Sequence, residues 1–163
     1  MSLTPEQRAD LIRRYAAGPA LLRTALGKIP ANALQWRPAA GKWSAHEVVV
    51  HCADSETNAH MRIRYLIGEK QPTIFGYDQD VWADVFNYHA HPLEAALATV
   101  EAVRANTVPM LRRLPESAWA KAGTHSESGH YSAEDWLRVY AGHLETHAHQ
   151  IDRNLAAWQA APK

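Results

Sequence analysis

Apolar residues recur three and four positions apart in four separate segments of this chain, which is the spacing of one face of an amphipathic helix. The third segment shows this most clearly, at Leu93, Leu97, Val100, Val103, Thr107, Met110, Leu111 and Leu114. A strand would need alternation at every second residue, and no stretch shows that convincingly. The pattern therefore restricts the fold to helices that bury one face against each other.

Three of the four helix starts are marked by pairs of capping residues, in which a Ser or Thr precedes a Gln, Glu or Asp by three positions. These pairs are Thr4 with Gln7, Ser44 with Glu47, and Ser132 with Asp135. Together with the periodic third segment they predict helices over about 5–26, 44–67, 93–114 and 132–158. Because Gly and Pro weaken helices, Gly18–Pro19 is predicted to kink or break the first one.

The connection between the second and third helices, about residues 69–91, is long and holds a short helical stretch around Trp82. A helix of 24 residues is about 36 Å long, and a connection of this length can carry the chain back along it. The second and third helices can then lie parallel. We therefore predict an all-α fold, a four-helix bundle with a long crossover between helices 2 and 3, as one domain over residues 1–163.

The 17 Lys and Arg residues balance the 17 Asp and Glu residues, which argues against general attraction to nucleic acid or an anionic membrane. The one cysteine, Cys52, cannot form an intrachain disulfide, fits a reducing compartment and turns toward the apolar core. The N-terminal residues lack the apolar core of a signal peptide, and no run is long and apolar enough to span a membrane. We expect a cytoplasmic protein.

The chain has ten histidines, and three of them lie within residues 140–152. On a helical wheel His143 and His147 fall in the apolar stripe of the fourth segment, with Gln150 on its flank, whereas His149 faces the opposite way. Imidazoles four residues apart can hold one metal ion together, because their side chains stack one turn apart. Two adjacent core imidazoles can instead be satisfied by hydrogen bonds, and both interpretations stay open at this point.

A metal held by two ligands of one helix needs a further ligand from another segment. In the second segment His51 flanks the apolar stripe, whereas His46 and His60 point away from it. If the second and fourth helices pack antiparallel, His51 can reach the height of the histidine pair. The alternative is a boundary histidine that bonds Glu47 or Asp54.

Three motifs occur in order along the chain, GKWSAHEVVVHCADSE, HSESGHYSAEDWLRVYAGH and YAGHLETHAHQID. With the middle stretch YDQDVWADVF, they resemble the DinB/YfiT-like family over about residues 34–151. His125 and Gly129 match the loop that precedes the fourth helix in the YfiT branch. The resemblance implies a four-helix bundle whose metal is held by one histidine of the second helix and a His-x-x-x-His pair of the fourth.

The family's pattern can be carried over position by position. Trp43 and Ser44 match the start of the second helix, and His51 matches its metal ligand. The fourth-helix pair matches His143 and His147. The resemblance therefore implies a three-histidine metal site formed by two helices.

The family includes thiol-dependent transferases, a thiol-dependent isomerase domain and proteins labelled metal-dependent hydrolases. The resemblance thus implies a metal-dependent enzyme, a hydrolase or a low-molecular-weight-thiol S-transferase; a non-catalytic metal- or ligand-binding bundle is the alternative. Nitrogen ligands favour Zn²⁺ or Ni²⁺, with Fe²⁺ and Mn²⁺ as further options. We expect a small-molecule substrate and no nucleic-acid or membrane partner, and a homodimer is one option for the assembly.

Three further side chains lie one helical turn from the predicted ligands and are expected to orient them: Gln150, Glu47 and Asp54. No residue is assigned a catalytic role. His125 and His130 lie in the loop before the fourth helix, where they can cover the end of the bundle or face solvent.

Overall fold

This computed structural model describes residues 2–162 of the chain. They contain five α-helices and three short strands. The helices are α1 (Pro5–Leu26), α2 (Ala45–Gly68), α3 (Gln79–Val85), α4 (Leu93–Arg112) and α5 (Ala133–Ala160). The strands are β1 (Thr73–Ile74), β2 (Ala122–His125) and β3 (Gly129–Ser132). The long helices α1, α2, α4 and α5 form the predicted four-helix bundle, and α3 is the short helix expected around Trp82.

The predicted caps form where the sequence places them. Thr4, Ser44 and Ser132 each accept a hydrogen bond from the third residue of the following helix, whose side chain bonds back to the cap. Each reciprocal pair satisfies two backbone donors that the first helical turn leaves unpaired. The starts of α1, α2 and α5 are therefore confirmed.

The prediction at Gly18 and Pro19 was a kink or a break, and the break is wrong because the first helix continues through both residues. Pro19 lacks a backbone N–H and removes one helical hydrogen bond. Tyr15 and Leu22, on either side of it, are both fully buried. Their packing holds the two halves of α1 on the same core and outweighs the lost bond.

Helices α1 and α5 run parallel to each other. The backbone N–H of Leu3 donates to Glu134 Oε1 over 2.7 Å near the start of both helices. Lys28, just beyond the end of α1, pairs with Asp152 in the last part of α5 over 2.9 Å. Contacts that advance together along both helices require the same chain direction.

Helices α2 and α5 run antiparallel. The indole N–H of Trp136, early in α5, donates to the carbonyl of Ala59 late in α2 over 2.9 Å. Asn154, late in α5, donates to the carbonyl of Trp43 just before α2 over 2.9 Å. This direction brings the first half of α2 next to the second half of α5.

Helices α2 and α4 run parallel, as the long crossover predicted. Arg104 donates to Glu56, and one turn further along both helices His60 bonds the hydroxyl of Thr107 over 2.8 Å. Residues 69–92, which include α3, carry the chain back between them.

A small sheet lies beside the bundle, and the expectation that the chain holds no strand is wrong. Strand β1 pairs parallel with β2, and β2 pairs antiparallel with β3. The strands are two to four residues long and show no apolar alternation, so a sequence pattern could not reveal them. Gly76 N–H donates to Ser126 Oγ over 2.8 Å, which ties the β2–β3 turn to the chain after β1.

Two apolar clusters fill the bundle, one on each side of a polar layer. The first contains Val48, Leu97 and Leu144, and the second contains Ile63, Leu111 and Trp136. Between them lies the polar layer, formed by Glu56 of α2, Arg104 of α4 and His143 of α5, and Gly18 of α1 packs against Arg104. No helix within residues 2–162 is long and apolar enough to cross a lipid bilayer.

Candidate metal centre

Three imidazoles converge beside the polar layer, His51 from α2 and His143 and His147 from α5. One ring nitrogen of each lies within 4.8 Å of the other two. The ring centroids are 4.6 Å apart for His143 and His147, 4.8 Å for His51 and His147, and 5.6 Å for His51 and His143. The structure thus brings together the three histidines that the sequence proposed as ligands.

Two features of the sequence produce this convergence. His143 and His147 stack on one face of α5 because they are four residues apart. The antiparallel packing of α2 and α5 then places His51, in the second turn of α2, at the height of His147. Trp43 packs on the other side of the His51 ring, with the centroids 4.7 Å apart.

A hydrogen bond to Gln150 determines which ring nitrogen of His147 carries the proton. Gln150 Oε1 lies 2.9 Å from His147 Nδ1, whereas Nδ1 of His143 lies 3.5 Å from Glu56 Oε1 without forming a hydrogen bond. The proton of the neutral His147 ring therefore belongs on Nδ1 and its lone pair belongs on Nε2. The two Nε2 atoms face each other at 3.2 Å.

Two ring nitrogens this close to each other can bind one metal ion between them. A tetrahedral ion with bonds of about 2.0–2.1 Å to nitrogen holds its ligand atoms about 3.4 Å apart. The 3.2 Å separation of the His143 and His147 Nε2 atoms matches that geometry. His51 adds a buried ring whose Nδ1 has no hydrogen-bond partner among the described residues. The three residues therefore fit a divalent transition metal.

Burial keeps the imidazoles of His51 and His147 neutral, which is the form that binds a metal. His51 is only 3% exposed, and burial, reinforced by the neighbouring His147 and His143, lowers its pKa to about 2. Burial and the nearby His143 lower the pKa of His147 to about 4. Both rings are ready to act as ligands across the neutral pH range.

A buried ion pair supports the centre from behind, and the sequence analysis missed it. Arg104 donates to both carboxylate oxygens of Glu56, over 2.9 and 2.5 Å, and also to the carbonyl oxygens of Tyr15 and Tyr140. Burial alone would raise the pKa of Glu56, but the neighbouring His143 and Arg104 outweigh burial and lower it. Glu56 is therefore a carboxylate that faces the imidazole of His143.

A signal for this pair was present in the sequence. Glu56 lies within the apolar stripe of α2, four residues after Cys52 and three before Ala59. Arg104 likewise lies four residues after Val100 in the stripe of α4. Two charges of opposite sign, each in the middle of an apolar stripe, indicate a buried ion pair between the helices, because an isolated buried charge is too costly.

Of the three side chains expected to orient the ligands, Gln150 contacts one. Its Oε1 meets Nδ1 of His147. Glu47 instead accepts hydrogen bonds from Arg37 and from the backbone N–H of Ser44. Asp54 accepts a hydrogen bond from the hydroxyl of Tyr88 over 2.5 Å. Glu47 and Asp54 lie one turn from His51 along the chain, but their side chains bond to other elements.

The remaining histidines of these two helices lie away from the centre. His46 lies on the outer face of α2, yet it is only 6% exposed and bonds the carbonyl of His91 over 2.9 Å. A helical wheel cannot detect a loop that covers the outer face of a helix. His60 contacts α4, and His149 is exposed.

A cavity of about 330 Å³ opens onto the three histidines. Its lining comes from α2, α5, the chain around Gly76 and the β2–β3 hairpin. Besides the histidines, it includes Ser55, Arg62, Tyr77, Gln79, His125, Glu127, Val139 and Tyr140. The hairpin thus brings His125 to the cavity, whereas His130 is exposed and not part of its lining.

The family model of the DinB superfamily matches residues 14–151. This chain belongs to the DinB superfamily. A relative in Oceanobacillus iheyensis, named a "putative metal-dependent hydrolase", is 31% identical over 133 residues, which is 82% of this chain and 77% of that protein. The "putative metal-dependent hydrolase YfiT" of Bacillus subtilis is 24% identical over 151 residues, 92% of this chain and 85% of YfiT.

The solved structure of B. subtilis YfiT superposes on this DinB-superfamily chain with a TM-score of 0.90 at 23% identity. It covers 98% of this chain and 92% of YfiT. YfiT is described as a "probable metal-dependent hydrolase with an unusual four-helix bundle topology". The comparison confirms the fold, including the unusual course of its helices.

Proposed function

We propose that this protein is a metal-dependent hydrolase whose single divalent transition metal is held by His51, His143 and His147. The observation that carries the proposal is the convergence of three imidazoles at one wall of a cavity, with the Nε2 atoms of His143 and His147 3.2 Å apart. Three protein ligands leave at least one position of the metal open, which is typical of catalytic rather than structural sites. Zn²⁺ or Ni²⁺ suits this nitrogen donor set best, and Fe²⁺ or Mn²⁺ accepts it too.

A bound ion of this kind supplies Lewis acidity, which polarises a carbonyl and acidifies a water molecule or a thiol. The residues of the chain hold the ligands in place. Gln150 accepts from Nδ1 of His147 and so fixes the lone pair of that ring on Nε2, and the Glu56 carboxylate lies 3.5 Å from Nδ1 of His143. Ser55 Oγ lies 3.3 Å from His143 Nε2 and borders the space in front of the ligands.

The size of the cavity supports a small-molecule substrate. Its volume of about 330 Å³ lies at the lower end of the range that binds small ligands, roughly 300–1,000 Å³. Polar and aromatic side chains line it together. A macromolecule could insert only a terminus or a single side chain into a space of this size.

Transfer of a low-molecular-weight thiol is the second candidate reaction, and Cys52 is the observation that bears on it. Cys52 is the one cysteine of the chain, it is fully buried, and burial raises the pKa of its thiol well above the usual range. It cannot serve as the nucleophile. Thiol chemistry at this site would therefore need a thiol from solution, for which the open side of the histidine cluster provides access.

The experiment uses protein purified without a nickel column and loaded with one equivalent of Zn²⁺ or Ni²⁺. Two assays run in parallel, a panel of esters and amides, and a low-molecular-weight thiol with an electrophile. Hydrolysis that disappears in His51→Ala and persists in His149→Ala supports the hydrolase. Thiol conjugation with the same dependence supports the transferase. If the metal-loaded protein turns over neither set, the non-catalytic metal- or ligand-binding alternative replaces both.

We also propose a homodimer, on the basis of an exposed apolar segment. Phe75, Val81, Val85 and Phe86 are 51% to 71% exposed, although large apolar side chains favour burial. Light scattering on a sizing column should give a mass near twice 18.2 kDa, and Val85→Glu with Phe86→Glu should halve it. A monomeric wild type would contradict the proposal. The cytoplasmic location stays a prediction.

A further inference from the structure

We infer that the cavity binds a carboxylate group of the substrate through the guanidinium of Arg62, with the hydroxyls of Tyr77 and Tyr140 as further donors. The inference rests on the proposed function for the reaction itself. It adds the chemical class of the substrate, an anionic small molecule whose carboxylate lies away from the metal ligands.

Arg62 lies on the same face of α2 as the histidine ligand of that helix. His51 and Arg62 are eleven residues apart, which is about three helical turns and a rotation of about 20°. Ser55 lies between them on this face, and all three line the cavity. Arg62 is therefore at one end of the cavity and the histidine cluster at the other.

The guanidinium is held in place by bonds that leave donors for a ligand. Arg62 Nη1 donates to the hydroxyl oxygen of Tyr140 over 3.0 Å, and Nη2 donates to the carbonyl of Phe75. Its carbon atom lies 5.8 Å from the centre of the Tyr77 ring. A guanidinium has five N–H donors in a planar fork, and these two bonds use two of them. A donor group that is fixed before binding loses little entropy when it binds a carboxylate.

The neighbouring hydroxyls carry protons that can be donated. Because Tyr140 accepts from Arg62 through its oxygen, its own O–H is directed elsewhere. Burial raises the pKa of Tyr140, and burial, partly offset by the Ser55 hydroxyl, raises the pKa of Tyr77 to about 12. Both phenols are therefore protonated at neutral pH. A guanidinium with two phenol donors is suited to an anion and poorly suited to a cation.

The charges around the cavity favour a monoanion. Glu127, at the exposed hairpin turn, is the acidic residue in the lining, and it lies over Gly76 at the mouth of the cavity. Glu56 is behind His143 and already paired with Arg104. Arg62 is therefore the arginine of the cavity lining, and the nearby carboxylate of Glu127 disfavours a dianion such as phosphate. We commit to a carboxylate for this reason.

Arg64 provides a matched control on the same helix. It is two residues further along α2 and faces α4, where it donates to the side-chain oxygen of Asn106 over 2.9 Å and to the carbonyl of His60 over 3.1 Å. It has the same charge and a similar degree of burial as Arg62, but it does not line the cavity. Replacing it changes the net charge of the protein without changing the cavity.

The test is a ligand-observed NMR titration of the full chain with butyrate, its neutral isostere butyramide, and inorganic phosphate. The metal-free protein is measured as well as the metal-loaded one, because a metal can bind a carboxylate by itself. We expect butyrate to bind both forms more tightly than butyramide or phosphate. Arg62→Gln should lower the affinity for butyrate by about tenfold or more through loss of charge-assisted bonds, and Arg64→Gln should leave the affinity unchanged. Tyr77→Phe, which preserves the ring, should weaken it by a smaller factor.

Wild-type protein that binds butyrate no better than butyramide would overturn the inference, as would an Arg62→Gln variant with wild-type affinity. A preference for phosphate would overturn the assignment to a carboxylate. Should Arg62→Gln fail to fold, Arg62→Lys provides the test, because it retains the charge, loses the fork and is expected to bind butyrate with intermediate affinity.

A pair of ester substrates separates this inference from the proposed function. Mono-4-nitrophenyl succinate has a carboxylate, and 4-nitrophenyl butyrate does not. In Arg62→Gln the KM for the anionic ester should rise by a larger factor than the KM for the neutral ester, and Arg64→Gln should leave both values unchanged. Hydrolysis of both esters without preference would leave the hydrolase standing and overturn the carboxylate site. Butyrate binding through Arg62 in a protein that hydrolyses neither ester would support the carboxylate site and contradict the hydrolase.

Discussion

Glu56 Oε1 lies 3.5 Å from Nδ1 of His143, with both groups inside the bundle and the carboxylate side chain fully buried. Arg104 donates hydrogen bonds to both oxygens of the same carboxylate. A charge on α4 is thereby connected, through one carboxylate, to an imidazole at the candidate metal centre. The polar layer between the two apolar clusters thus both supports the bundle and orients a ligand.

Replacing Glu56 by Gln should therefore lower both the metal affinity and the stability of the fold. Loss of a carboxylate that orients a ligating histidine typically costs about 10–100-fold in metal affinity. The uncompensated Arg104 charge should also cost about 3–5 kcal/mol in the free energy of unfolding. Metal affinity is measured by competition with a chelating dye, and stability by urea unfolding of the metal-free protein. Unchanged metal affinity in a folded variant would mean that Glu56 acts only on the fold.

We predict about one divalent transition metal per chain, bound by His51, His143 and His147. Each single replacement by Ala should abolish tight binding, because two imidazoles hold a metal far more weakly than three. His149→Ala is the control, since His149 is exposed on the other face of α5. The metal content after gel filtration decides between the variants. Full content in His51→Ala would rule out a site shared by two helices.

Removal of the metal should lower the melting temperature without unfolding the protein. The site exists only in the folded chain, so a bound metal stabilises that state. Two apolar clusters remain in its absence, and for a chain of this size each kcal/mol lost lowers Tm by about 2–4 °C. Calorimetry with and without a chelator measures the shift. A chain that unfolds at room temperature on chelation would instead have a structural metal.

The metal-free protein should lose stability as the pH falls below 6.5. The folded-state pKa values, about 2 for His51 and about 4 for His147, lie below the unfolded value of about 6.5. The unfolded chain therefore takes up protons that the folded chain excludes. The stability is fully present above pH 6.5 and is lost as the pH falls toward 4 for His147 and toward 2 for His51. Each excluded proton contributes about 1.4 kcal/mol per pH unit.

Urea unfolding between pH 5 and pH 7 gives the measurement. In His51→Ala the slope of the free energy of unfolding against pH should fall by the equivalent of about one proton. In His149→Ala this slope should stay at the wild-type value. Equal slopes in His51→Ala and the wild type would show that His51 takes up a proton as easily in the folded protein as in the unfolded chain.

Gly18→Ala should destabilise the bundle, whereas Gly142→Ala should not. A Cβ at Gly18 would lie 2.5 Å from Arg104 Nη1 and 2.9 Å from Leu144 Cβ, so the polar layer would have to move. Overpacking of this kind costs about 1–3 kcal/mol. At Gly142 the nearest atom is Arg14 Nη2 at 3.4 Å, and the better helix propensity of Ala should add up to about 1 kcal/mol. Thermal unfolding of both variants checks the contrast.

The features that could be read from the sequence are those that depend on neighbouring residues. The capping pairs that begin at Thr4, Ser44 and Ser132 mark the starts of three helices, because each cap bonds residues only three apart. The i, i+4 spacing placed His143 and His147 on one face of α5 for the same reason. The length of the crossover limited the directions that α2 and α4 could take.

Packing between distant segments decided the rest. The β strands form because segments some 50 residues apart meet, as Gly76 and Ser126 do, and neither segment has a strand pattern alone. Glu47 bonds Arg37 rather than His51 because the loop before α2 folds back over the start of the helix.

By itself, the sequence of this protein determined four amphipathic helices, their caps and the two faces that carry His51 and the His143–His147 pair. Only the tertiary structure decided that these faces meet, that Glu56 and Arg104 support them, and that Arg62 is at the far end of the same cavity. The physical reason is the distance along the chain over which each interaction acts. Backbone hydrogen bonds and helical periodicity act over three or four residues, whereas a buried charge selects its partner from any helix that packs against it.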